Sequence, residues 1–216
     1  MDLATLQNDE AEAQAQLQED AAQAAQGAIS RATLAAASQA LDTVAADVGR
    51  GSIGEPAADL RDLRADPALR RALEADLEAE AVRLSDAVVR WIASGWLAEA
   101  EGQAEILRGQ SLEVEISLTD ADRADLQTFP VQGYAPAEIV GNLVYTLRRD
   151  FLGALGRGIS QAKTPGGIVV PLAQVSADHA SRCGRAAGEC FLAGTQAARI
   201  GIGAELARAL GVKAAP

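Results

Sequence analysis

From Leu69 to Trp96 the apolar residues Leu69, Leu73, Leu77, Ala81, Leu84, Val88, Trp91 or Ile92, and Trp96 follow one another at intervals of three to five, mostly three and four. A strand turns its side chains over every second residue, so this spacing predicts a long amphipathic helix. Asp66 before Pro67 supplies its start, an N-cap followed by proline at the first helical position. Gly95 or Gly102 is expected to kink or end it. Such a helix must bury its stripe against other helices. The chain supplies them from small residues: alanine recurs in nearly every segment, while aromatics are 3% of the 216 residues. The core is therefore expected to be Ala, Leu, Val and Ile on closely approaching backbones, and 49% hydrophobic content suffices for one domain of ordinary size or two small ones.

The expected fold is mainly α, an elongated helical bundle with a small β element around residues 112–118. Residues 1–48 have helical composition but a weak apolar stripe, which predicts an acidic segment that lies along a partner, a neighbouring subunit or a groove, or is partly disordered when alone. Three glycines and a proline in residues 49–56 break the pattern, so 49–66 is read as a linker and 67–216 as a helical domain. Within that domain, Leu112, Val114, Ile116 and Leu118 alternate with Glu113, Glu115 and Ser117, the pattern of a half-exposed strand. Thr119 with the acids after it starts a short helix, and Ala135-Pro-Ala-Glu138 starts a longer one running to about Gly156. The last helical region spans about 171–210, after a turn at 164–167.

Charge divides the chain. Residues 1–110 carry 20 acids and 9 bases, residues 111–216 ten of each, and from Gln127 onward nine bases stand against five acids. An acidic front and a basic back can seat one chain between a basic protein and a polyanion, although solvated helix faces give the same pattern. Arg148, Arg149, Arg182 and Arg185 are the basic residues singled out as an interaction surface. Trp91 and Trp96 are the aromatic pair, read either as a binding face or as the largest core plugs of an aromatic-poor protein. The first residues lack a basic region followed by an apolar run, no segment is long and apolar enough to span a membrane, and two cysteines make no disulfide framework. The expectation is a reduced, cytoplasmic origin.

His179, the single histidine, and Cys183 and Cys190 lie close together in sequence. On a helix, His179 and Cys183 share a face one turn apart. Cys190 is about 10 Å further on than Cys183, beyond the roughly 7 Å alpha-carbon limit of a disulfide and out of reach of a shared tetrahedral metal. No metal, cofactor or catalytic residue is assigned. Ala180, Gly184 and Gly188 at spacing four, with Ala187, Ala193 and Gly194, instead form a ridge against which another helix can pack closely. The letters of Gly49-Arg-Gly-Ser-Ile-Gly54 imitate a dinucleotide loop without the preceding strand. The paired acids Glu78 and Glu80, and Asp120 and Asp122, read as solvated helix or capping acids.

Ala177, Ala180, Arg182, Ala186 and Gly194 resemble the small-residue helix near the C-terminus of bacteriophage minor head, or head morphogenesis, proteins that associate with the portal. That family's Thr-Glu stands as Cys183-Gly184 here. The resemblance covers the last 80 residues and brings no catalytic residue with it. It implies a structural protein of a phage-like particle near the portal or head-tail junction, located in the virion and assembled in the host cytoplasm. Portal or capsid proteins would be its partners in an oligomeric assembly, with packaged DNA a possible contact of the basic region. The alternative is a cytoplasmic helical adaptor or regulator that binds a partner helix in a groove lined by Trp91 and Trp96. An enzyme using Cys183 or Cys190 is the third reading.

Overall fold

The computed structural model describes residues 3–49, 66–109, 117–161 and 166–209. These form six helices, α1 (Leu3–Ala24), α2 (Arg31–Gly49), α3 (Pro67–Gly109), α4 (Asp120–Leu126), α5 (Pro136–Gln161) and α6 (Gly166–Ala209), and no strand. Mainly α is thus the fold class. Of the expected strand, residues 112–116 lie outside the described residues, and Ser117 and Leu118 lead without regular structure into α4. Of the expected linker, residues 50–65 lie outside them as well.

Helix starts follow the local chemistry. The Asp66 carboxylate accepts from the backbone N–H of Ala68 and Leu69 at 2.9 and 2.8 Å, which satisfies the first donors of α3. Thr119 caps α4 in a reciprocal capping box with Asp122. Glu138 accepts from the Ala135 N–H at the start of α5. Three boundaries differ from expectation. The acidic first segment is two helices, separated at Gly27, whose φ of +82° lies in the left-handed region glycine tolerates, with Ser30 accepting from Thr33 N–H to cap α2. The helix α3 continues through both Gly95 and Gly102. The helix α5 continues past Gly156 to Gln161.

The chain forms two compact units. Unit 1 takes residues 1–21, 84–140 and 183–216; unit 2 takes 22–83 and 141–182. In unit 2 the stripes of α2, α3, α5 and α6 converge on one core, with Leu69, Leu73 and Leu77 of α3 meeting Leu147, Phe151 and Leu155 of α5. At its edge Asp76 accepts from Ser30 N–H and from the Thr33 hydroxyl, so a charged side chain fixes the start of α2.

In unit 1, Trp91, Ile92 and Trp96 of α3 are buried, as are Cys183, Ala187, Cys190 and Phe191 of α6. Gly95 faces the Phe191 backbone and Gly194 faces the Ile92 backbone, each so closely that a Cβ would collide with it. The predicted small-residue ridge is therefore a packing surface, and Gly95, one of the two glycines offered as a kink or end of the helix, is the reciprocal notch. The first helix is integrated rather than loose: Gln14 donates to the Gly188 carbonyl, and Gln18 lies against Gly188. Between α4 and α5, Val131 and Tyr134 exchange both backbone hydrogen bonds around Gln132 and Gly133, which have φ values of +52° and +86°. That is the geometry of a tight primed turn.

Candidate functional site

The densest polar chemistry is in unit 2. Glu80 and Arg83 are three residues apart on α3 and so share a face. His179 meets them from α6. The Arg83 fork donates to both carboxylate oxygens, Nε to Oε2 at 2.7 Å and Nη2 to Oε1 at 2.6 Å, while His179 Nε2 lies 2.8 Å from Oε1. His179 is fully buried, Glu80 is 5% exposed, and the Arg83 side chain reaches solvent with about a quarter of its surface. An ionised carboxylate only accepts, so His179 Nε2 is the donor in this contact. Burial pushes the Glu80 carboxyl up, but the hydrogen bonds from Arg83 and His179 and their charges outweigh it and hold it below its ordinary value.

Glu80 and His179 are donors of the kind zinc takes. The guanidinium of Arg83 already occupies both carboxylate oxygens, and its charge opposes a cation there. The arrangement is that of a closed, charge-assisted cluster. The reading of Glu80 as a solvated acid is corrected: it is buried and pairs with His179. Glu78, two residues earlier, is exposed as expected.

Unit 1 carries an acidic cleft of about 300 Å³ lined by α1, α3 and α6. Arg199 sits in it, donating to Glu99 at 2.8 Å and lying 3.7 Å from Glu10. Asp9, Glu101 and Glu105, also lining the cleft, are exposed and form no ion pair among the described residues. Ile106, 44% exposed, gives the cleft an apolar patch.

The predicted interaction residues fall in different settings. Trp91 and Trp96 are 5% and 8% exposed, core plugs of unit 1 rather than the lining of an open groove. Arg149 and Arg182 are brought together on Asp150, at 2.9 and 2.6 Å, and hold its carboxyl down against the effect of burial. Arg148 lies 3.9 Å from Glu74, both side chains half exposed. Arg185 is exposed in unit 1. Tyr145, Arg148, Arg149 and Leu152 line a shallow depression of about 270 Å³ on α5. No helix among the described residues is long and apolar enough to cross a membrane. No protein-family model, curated protein or solved structure matches the chain.

Proposed function

We propose that the chain is a structural protein that works through protein–protein contacts, a component of a phage-like particle near the portal or head-tail junction. The observation that supports this most is how the chemistry is distributed. His179, Cys183 and Cys190 are buried and committed to packing or to the Glu80 cluster, whereas the exposed charge is sorted into an acidic cleft and a basic, tyrosine-bearing helix face. Surfaces sorted in this way give a contact specificity and register. The residues that resemble the portal-associated family agree with a packing role, since Ala180 and Ala186 are buried and Gly194 is a close-approach position on α6.

In this reading the acidic cleft engages a basic protein surface within the assembly. The arginines of α5 and α6 face a second protein surface or packaged DNA, although DNA would have to displace Glu74 and Asp150 from Arg148, Arg149 and Arg182. The protein resides in the virion after assembly in the host cytoplasm. The test is composition: mass spectrometry of density-banded particles and of portal-containing assembly intermediates from the source genome. The chain at a fixed copy number in either supports the reading; its absence from both overturns it.

A further inference from the structure

The helix α5 turns one polar-aromatic face outward. Tyr145 is 64% exposed, Arg148 and Arg149 follow it by three and four residues and so stand one turn along the same side, and Leu152 continues the line. The four residues line one depression. A large exposed aromatic beside two exposed guanidinium groups is a combination enriched in the centres of protein interfaces.

The ion pairs that occupy the two arginines are exchangeable. Arg148 reaches Glu74 only at 3.9 Å with both side chains half exposed, an arrangement that contributes little. Arg149 pairs with the adjacent Asp150, and that carboxylate keeps Arg182 at 2.6 Å when Arg149 turns away.

What covers this face follows from charge. The chain as a whole carries −11, so it repels a polyanion as a body. The same chain also presents a surface of matching composition, the cleft of α1, α3 and α6. There Asp9, Glu101 and Glu105 have no cation partner among the described residues, and Ile106 supplies an apolar contact for a ring. We propose that the Tyr145, Arg148 and Arg149 face of one copy docks into the acidic cleft of a second copy. Two different surfaces meet in this contact, so a pair of copies retains one free surface of each kind and the association repeats from copy to copy. This deepens the assembly role proposed above and takes its purpose from it. Its test, self-association of the purified chain, has an outcome that does not depend on whether particles contain the protein.

The 216-residue chain is followed by sedimentation velocity and by size exclusion with light scattering, across concentration, at about 50 mM and about 500 mM salt. The expected result is a mass that grows with concentration at low salt and falls at high salt. Reversing one surface, R148E with R149E or separately E101R with E105R, should raise the association midpoint by ~10-fold or more. Combining the four changes in one chain should restore association, since the charges are then exchanged and still opposite. All four positions are exposed, and circular dichroism with thermal melting verifies that each variant is folded. A wild-type chain that stays monomeric at low salt at every concentration overturns the proposal without any variant. Association unchanged by either reversal also overturns it, as does a monomer that instead binds a single-stranded oligonucleotide through Arg148 and Arg149.

Discussion

The carboxylate of Glu80 and the imidazole of His179, 99 residues apart in sequence, meet at 2.8 Å with the ring wholly buried. Together with the Arg83 fork they join α3 to α6 by polar contacts beside an apolar core. Breaking a buried cluster costs more than the cluster contributes, because the groups left behind stay desolvated. Glu80→Gln keeps the volume but removes the buried negative charge on which the Arg83 fork and His179 converge, and should lower the unfolding free energy by about 2–3 kcal/mol. Glu78→Gln, on the exposed side of the same helix, should change it by less than about 0.5 kcal/mol. Urea titrations of the two variants beside wild type measure both; equal effects would mean that the cluster contributes no stability.

The same carboxylate gives stability a pH dependence with a definite sign. Because the folded-state value of Glu80 lies below its ordinary 4.5, its contribution is fully present above that ordinary value. It is lost as the pH falls through the lower, folded one. Asp150, held below its ordinary 3.8 against burial by Arg149 and Arg182, acts in the same direction. The urea midpoint should fall between about pH 5 and about pH 3, and Glu80→Gln should show a shallower fall. An acid limb as steep in the variant as in wild type would assign the loss to other carboxylates.

The residues that made the helices legible in sequence were local. The 69–96 stripe, Asp66-Pro67, Thr119 with Asp122, and Pro136 with Glu138 each act within one or two turns, and each helix start lies where they put it. The ridge around Gly188 and Gly194 was legible as a packing surface for a similar reason, because spacing alone puts small residues on one face. The partner of Glu80 was not. Its signal was an acid three residues past Leu77 and four before Leu84, on the buried side of α3, but only the tertiary fold brings His179 to it. Gly95 was misread because a glycine inside a helix marks either a break or a close approach, and the choice depends on what packs opposite. The break at Gly27 was missed in a segment whose weak stripe hid the change from one helix to the next.

Glycines on these helices should divide sharply when given a methyl group. Gly95→Ala and Gly194→Ala place a Cβ into the backbones of Phe191 and Ile92, which cannot rotate aside. Each should cost at least about 2–3 kcal/mol, as overpacking does. Gly141→Ala on α5 meets nothing nearby and sits on an exposed face, so it should stabilise by about 1 kcal/mol through helix propensity. Gly188→Ala meets only the movable end of Gln18 and should fall between. Thermal denaturation of the four variants orders them, and a neutral Gly194→Ala would mean that α3 and α6 lie further apart than described.

The two cysteines beside the single histidine decide between packing and chemistry by their reactivity. Burial, with the Glu189 charge added to it, pushes the Cys190 thiol up to about 12. Cys183 is equally buried. The thiolate is the species that attacks an aromatic disulfide reagent. At about pH 8 a thiol with that value is ionised in roughly one molecule in ten thousand, and access through the core is needed besides. The native protein should therefore show no fast-reacting thiol, and denaturant should release two. Adding denaturant below the unfolding transition should raise the slow native rate in step with the open population, because labelling then requires opening of unit 1. A thiol that reacts within seconds in the native protein would instead place one cysteine at the surface, and the small-residue ridge of α6 would no longer account for the cluster.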